Sequence, residues 1–555
     1  MTEPIAQDGG DEGKVFFFGA DNIQTPDATI DVVGGKAFNL MRMARVDLPI
    51  PPGFVLSTQY CANYLRQGKR LPKGLPELLE SHIRRLENIV GFTFGGSRRP
   101  LLVSVRSGAA VSMPGMMDTV LDIGLTDTTV KALVRMTGNP RMAWDSYRRL
   151  VEAYAKVVHG CPTDGFDLLL GRYLEEEDLP SSRELDAESL ENLTMEYLEA
   201  YAEQVGSRFP QRPIDQLVGA VEAVFRSWES QRAVEFRRIH NIMGLLGTAV
   251  TVQTMVFGNM GATSGSGVAF TRDPATGEND LYMDFLFNAQ GEDVVSGRSA
   301  AEDAEELKRV LPGVYREIHR VRKLLEEEFK DVQDFEFTVQ EGKLYMLQCR
   351  TGKRTPWAAL RIAVDMVQEG LIDAPTALKR LALYDLERIE RVRLASKTSE
   401  AEPLCKGIPA SPGVAIGQVA LDTDTAKFMV SKGRPVILVR EDTSTGDIAG
   451  MAICNGILTV VGGRTSHAAV VARQLNKVCI VGCGTMGIDL RKRWVNIGAK
   501  TYSEGDFISL DGNTGNVYAG ALDVIVERPK KYLAEVDRWK DEGRGKQMHI
   551  TAFGS

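Results

Sequence analysis

The sequence predicts a mixed α/β (α+β) chain of several domains, and three observations carry that expectation. Its 555 residues suffice for about three or four domains at the usual ~150 residues each. Short apolar runs of β type, such as TAVTVQTMVFG and FISLDG, alternate with charged stretches of helical period, such as NPRMAWDSYRRLVEAYAKVV. A turn-rich break, ASKTSEAEPLCKGIPASPGVAIG, then separates a long first part from a shorter second one.

Taken in order, residues 1–13 are acidic, lack an apolar core and are expected to be disordered, with no signal peptide. Residues 14–125 read as mixed α/β with Gly-rich connections, and 126–245 as helical. The β signal returns over 246–395, with charged helical stretches near 300–329 and 355–395. Residues 396–405 read as a linker, 406–525 as a second α/β domain and 526–555 as a charged helical tail. The net charge of −8 argues against a nucleic-acid partner. No run reaches the ~18 apolar residues of a membrane span. The seven cysteines are scattered without a C-x-x-C, which fits a reduced cytoplasmic protein, with Cys479 and Cys483 as packing residues.

One of only six histidines sits in GGRTSHAAVVARQL, residues 462–475. After His467, Ala468, Val471, Ala472 and Leu475 recur at helical spacing, and Thr465 and Ser466 are good cap residues. His467 is therefore expected at a helix amino terminus just after a Gly-Gly turn. There the helix dipole disfavours imidazolium and favours an adjacent anion such as a phosphoryl group, which suits a nucleophilic imidazole. The bland alternative is a capped, packed histidine.

A phosphorylated histidine needs a donor. VVGGKAFNL places Lys36 after a Gly pair and before a helix. In LLVSVRSGAAVSMPGMMDTVLDIGL a β run ends in Arg106, and Ser107, Gly108, Ser112 and Gly115 form a small-residue loop whose N–H groups can approach phosphates. In DFEFTVQEGKLYMLQCRTGKR, Asp334, Glu336 and Thr338 share one strand face. A hairpin turning at Gly342 through an odd-length loop sets Glu336 opposite Gln348 and Asp334 opposite Arg350. A two-residue loop sets Phe335 opposite Gln348. The odd register gathers oxygen ligands and a guanidinium suited to Mg²⁺ and polyphosphate. The bland alternative here is a solvated polar face on an edge hairpin.

GGRTSHAAVVAR, VREDTSTGDIAGM and KGIPASPGVAIG resemble the phosphohistidine region of the pyruvate phosphate dikinase and phosphoenolpyruvate synthase family, in family order. So do GGKAFNL, SVRSGAAVSMPGMMDT, NPRMAWDSYRRL, GTAVTVQTMVFGNMG, GVAFTRDPATGE and GKLYMLQCRTGKRT. The likeness spans residues 14–525 and is nearer to pyruvate phosphate dikinase, through SMPGMMDT and VFGNMG. It implies an ATP-grasp nucleotide-binding domain over 14–395, then a swivelling β/β/α phosphohistidine domain over 406–525. Carried over by motif, Lys36, Arg106 and Arg350 hold phosphates, and Arg106 and Arg350 act beside His467 in catalysis. Glu336 and Gln348 hold Mg²⁺ with Asp334 beside them. Gln253, Met255 and Val256 line the adenine pocket, and Arg141 contacts phosphates. Arg464 stands where many members carry Met. Thr465 resembles the position regulated by phosphorylation in plant members.

The implied activity is ATP-dependent (pyro)phosphorylation of His467 with release of AMP, inorganic phosphate serving as co-substrate. Family members continue into a barrel that binds pyruvate or phosphoenolpyruvate, and no segment of this sequence resembles it. The expectation is therefore the ATP and phosphate half-reaction, with an acceptor site on a separate domain or protein, and a monomer. Two other readings are a synthase-like component that uses water and phosphorylates a phenol or alcohol, and a non-catalytic nucleotide sensor or scaffold.

Overall fold

The computed structural model describes residues 14–19, 28–111, 113, 117–179, 181–295, 304–395, 402–463 and 466–552. They form two compact units: Met1–Met260 with Tyr345–Gln348, and Gly261–Leu344 with Cys349–Ser555. No helix among the described residues is long and apolar enough to cross a membrane.

The first unit is built on a five-stranded antiparallel sheet. Its order is Val15–Phe18, Gly53–Leu56, Ala249–Thr254, Val103–Gly108, Thr119–Ile123. Along Val103–Gly108 every residue is buried except Arg106, which is half-buried. A sheet covered on both faces needs such near-continuous apolar or small residues. Helices supply the cover. Pro140–His159 starts where the Asn139 side chain accepts from the Met142 N–H at 3.0 Å, and it stops at Gly160, whose φ of 70° is cheap only for glycine. It packs against Ala187–Val205, capped by Asp186, around Tyr147, Tyr197 and Tyr201.

The helix Ile30–Arg45 is interrupted at Gly34, with φ 73° and ψ 159°. A Cβ there would lie 1.9 Å from the Gly108 carbonyl oxygen. The next N–H, of Gly35, donates to the Ala109 carbonyl at 2.8 Å. The glycine pair therefore lets the helix meet the loop after Val103–Gly108 backbone to backbone.

The second unit contains two main sheets. A four-stranded sheet runs Lys343–Thr351, Gln333–Gln340, Gly265–Phe270, Tyr282–Phe287. Beside it Arg272, with 0% exposure, is gripped by Glu326 at 2.8 and 2.9 Å and by Glu369 at 2.5 and 3.0 Å. Helices Ala304–Val310, Pro312–Phe329, Pro356–Gln368 and Ala374–Leu381 follow the expected helical stretches. The second of those stretches ends early, because Arg391–Leu394 is drawn into a ribbon with Val524–Glu527.

The other sheet has eight strands, in the order Cys405–Lys406, Asn516–Ala519, Phe507–Asp511, Val414–Ala420, Val436–Arg440, Gly456–Thr459, Val478–Val481, Ile408–Ser411. The run from Val414–Ala420 to Val478–Val481 is parallel. Parallel neighbours require crossovers, and His467–Gln474 is the crossover helix between the last two. Cys479 and Cys483 are buried and unbridged, as packing residues should be.

Two changes test this architecture. Gly34→Ala should cost at least ~2 kcal/mol, since it places a Cβ both at positive φ and against backbone that cannot yield. Urea unfolding reads the loss, and Gly35→Ala, whose Cβ meets nothing closer than 3.4 Å, should cost less. Arg272→Met should lose about 3–5 kcal/mol at neutral pH by leaving two carboxylates without their cation. Urea unfolding reads this loss as well.

Candidate active site

In the first unit the structure brings the small-residue loop to the glycine-interrupted helix. Lys36 stands in the first turn after the Gly34 kink, and its Cβ is 3.8 Å from where a side chain on Gly108 would begin. Ser107 is buried, and the Gly108 N–H donates to Thr248 Oγ1 at 3.1 Å. Two residues earlier on the same face of the strand, Arg106 donates through Nη1 to the Leu347 carbonyl at 3.2 Å and through Nη2 to Gln348 Oε1 at 3.3 Å. Lys36, Arg106, Ser107, Gly108 and Gln348 thus share one neighbourhood. Ser112 and Gly115 lie outside the described residues.

On the adjacent strand, Gln253 pairs across from Ser104 and spends its side-chain N–H on the Pro51 carbonyl at 3.0 Å. Met255 anchors by its backbone N–H to the Leu102 carbonyl at 2.9 Å, and Met255 and Val256 are half-buried. Arg141 instead donates to the carbonyls of Leu185 and Ser182, both at 2.9 Å, within the helical layer.

In the second unit Arg350 Nε donates to Asp334 Oδ2 at 2.7 Å. The hairpin reaches this pairing by a route other than the odd-length loop. Its turn has two residues, Glu341 and Gly342, at φ 49° and 76°, the positive values a tight hairpin turn requires. Such a loop alone sets Phe335 opposite Gln348. But the burial rhythm of Lys343–Thr351 runs Leu344, Met346, then Cys349. The alternation is thus interrupted between Met346 and Cys349, and Arg350 reaches Asp334 beyond the interruption.

Nor is the polar face solvated: Asp334 is 6% and Thr338 2% exposed, while Glu336 is half-buried. Burial pushes the Asp334 carboxyl above the usual carboxylate range, against the pull of the Arg350 charge and hydrogen bond. Among the described residues no group of three or more His, Cys, Asp and Glu side chains is arranged to hold a metal by itself.

His467 is the first residue of its helix, behind Ser466 as the cap in extended conformation. The cap acts through its backbone: the Val470 N–H donates to the Ser466 carbonyl at 3.0 Å, and the Ser466 side chain makes no cap bond. Ser466 Oγ would lie 3.0 Å from a Cβ on Gly462, whose φ is 117°, so that turn admits only glycine comfortably. Ala468, Ala469 and Ala472 are buried, with Val471 and Leu475 packed beside them.

The imidazole is half-buried, and its Nδ1 is 3.0 Å from Thr443 Oγ1. Thr443 was not singled out by the sequence. It follows the strand Val436–Arg440, the parallel neighbour of Gly456–Thr459, with Arg440 paired to Thr459. Two loops leaving the carboxyl ends of adjacent parallel strands must lie side by side, so residues 443 and 467 meet. Asp447 pins the Thr443 loop. It accepts from the Ser444 N–H at 2.9 Å and Ser444 Oγ at 3.0 Å, and it faces Arg440 at 3.3 Å. The hydroxyl-rich TSTGD run directly after a buried strand was the available signal. Thr465 lies outside the described residues.

With this geometry in view, the comparisons with known proteins are specific. The family model described as pyruvate phosphate dikinase, AMP/ATP-binding domain, matches residues 70–305 and 302–371, more than half the chain. The model described as PEP-utilising enzyme, mobile domain, matches residues 433–515, which contain Thr443 and His467. A pyruvate, phosphate dikinase of Clostridium symbiosum is 44% identical over 94% of this chain and 60% of its own length. The chloroplastic pyruvate, phosphate dikinase 1 of Arabidopsis thaliana is 46% identical over 91% of this chain and 53% of its own. For pyruvate, phosphate dikinase 2 of Oryza sativa subsp. japonica the figures are 45%, 100% and 62%. The chain thus spans somewhat over half the length of these relatives. It belongs to the pyruvate phosphate dikinase family of ATP-dependent phosphotransferases, with that family's ATP-binding and mobile domains.

Proposed function

We propose that this chain transfers a pyrophosphoryl group from ATP to His467 and releases AMP. One observation carries the reading: an imidazole at a helix amino terminus with Nδ1 held by Thr443, inside a mobile-domain match that accompanies an AMP/ATP-binding match. With the Nδ1–H donating to Thr443 Oγ1, the Nε2 lone pair is the nucleophile. It attacks the β-phosphorus in line, the bond to the α-phosphate oxygen breaks, and AMP leaves. The first helical N–H groups and the dipole favour the anion that forms on the ring.

Lys36, Arg106 and Arg350 take the phosphate oxygens in this reading, beside the small-residue stretch that begins at Ser107 and Gly108. Gln253, Met255 and Val256 flank the base, and Arg141 contributes positive charge. The donors Glu336 and Gln348 fit Mg²⁺ by their chemistry: it binds through one or two protein oxygens and completes its octahedron with water and phosphate. When bound, the ion would neutralise polyphosphate charge. Inorganic phosphate then takes the terminal phosphoryl as pyrophosphate, leaving phosphohistidine. Onward transfer to pyruvate is proposed from the names of the relatives.

ATP labelled at the β-phosphorus should leave acid-labile, alkali-stable label on His467 and release AMP, with pyrophosphate appearing only when phosphate is added. His467→Asn should abolish both while ATP still binds; undiminished AMP formation in that variant overturns the proposal. Thr443→Val should slow labelling about tenfold, the worth of one orienting hydrogen bond, and leave ATP affinity alone. A Thr443→Ser variant, which keeps the hydroxyl, should recover most of the rate.

A further inference from the structure

His467 shares its helix with a second polar residue whose position the proposed chemistry does not use. Arg473, six residues on, is 2% exposed and among the largest fully buried side chains. A guanidinium taken out of water costs several kcal/mol unless charge or π density compensates it, and alanine or leucine would pack that helix without the cost. Within the eight-stranded sheet's own body, Arg473 Nη1 donates to the Ala410 carbonyl at 2.9 Å, a neutral partner. Further compensation comes from the four-stranded sheet of the same unit. The guanidinium carbon lies 5.5 Å from the centre of the Phe270 ring, within range of a cation–π contact. Asp334, paired with Phe270 across the strands, feels the Arg473 charge. A second contact joins the same two bodies next to the first: Tyr282 Oη donates to the Pro409 carbonyl at 3.3 Å.

We propose that Arg473 is a positioning residue that sets the His467 helix on the sheet carrying Asp334 and Arg350, through the face of Phe270. The proposal rests on the reading of His467 as the phosphoryl acceptor. An arginine serves here because its flat cation lies on an aromatic face and still reaches a carbonyl, which lysine's compact ammonium does less well. Phe270 is a face rather than a ligand, so the helix is seated without a carboxylate being drawn from Arg350.

The test is single-turnover labelling of His467 by β-labelled ATP at saturating nucleotide, with ATP affinity and thermal unfolding measured alongside. Arg473→Met and Phe270→Leu, made separately, should each slow labelling roughly three- to thirtyfold, the range of a partly buried cation–π contact, with ATP affinity unchanged. The double variant should be no slower than the slower single one. Phe270→Leu acts from the other body, so it carries the test even if Arg473→Met folds poorly. A wild-type rate in Phe270→Leu, or a double variant slowed by the product of the single effects, overturns the positioning role while leaving the phosphohistidine reading intact. An unlabelled wild-type protein overturns both.

Discussion

The bond between Thr443 and the His467 ring depends on one constraint: parallel strands end on the same side of a sheet. Val436–Arg440 and Gly456–Thr459 run together, so the loops that follow them emerge side by side. One loop is held by Asp447, and the other is folded tightly by Gly462. Neither loop alone could fix an imidazole. Together they tie one ring nitrogen to a hydroxyl and set the ring at the positive end of a helix. The buried alanines of that helix serve the same end. Small residues let it lie close to the sheet, so its amino terminus stays at the strand ends.

A comparable close approach shapes the first unit. The Gly34 kink lets one backbone touch another at Gly108, and it leaves Lys36 at the start of a helix beside a loop of small residues. At Gly34 the missing side chain lets two backbones meet, whereas at Gly462 it leaves room for the Ser466 side chain, and each glycine stands just before a helix start. Arg106 stands between these features and Gln348, and an amide and a carbonyl help to orient its cation.

Patterns local in the chain were legible before any coordinates. Apolar residues at i, i+3, i+4 and i+7 place His467 at a helix start, and the Gly-Gly-Lys run reads as a helix entrance, whereas Ser107 and Gly108, expected in a loop, end the strand Val103–Gly108. Contacts that need two distant segments were not legible. Thr443 is 24 residues from His467 and reaches it only because two strands are neighbours. The Asp334–Arg350 contact is expected from an odd-length loop, whereas the chain makes it with a two-residue turn and an interrupted burial alternation, which the hydrophobic pattern does not distinguish. The burial of Asp334 was missed for a similar reason: alternation shows which residues share a face, not what covers it. The Gly34–Gly108 approach and the seat of Arg473 on Phe270 likewise belong to tertiary geometry.

That geometry also constrains how the His467 body can be displaced, for a domain whose family description is mobile. The chain leaves the helices of the second unit through Arg391–Leu394 and returns through Val524–Glu527, and these two segments are zipped together in register. The Ala395 N–H extends the ladder to the Asp523 carbonyl at 3.0 Å, and Arg391 and Arg393 both reach Glu527 at 3.0 Å. Beyond the ribbon, Val536 and Trp539 of the final helix pack with Leu360 and Leu381, which anchors the return. Both crossings therefore pass through one narrow neck. Sliding one strand past the other would break the ladder and the shared ion pairs, whereas bending the ribbon as a whole would break neither. Val524, Ile525 and Val526 are 39%, 44% and 58% exposed, whereas Arg391 of the paired strand lies over the Trp357 ring at 4.6 Å. Outside the neck, the contacts that join the His467 body to the four-stranded sheet include Arg473 on Phe270 and Tyr282 on the Pro409 carbonyl.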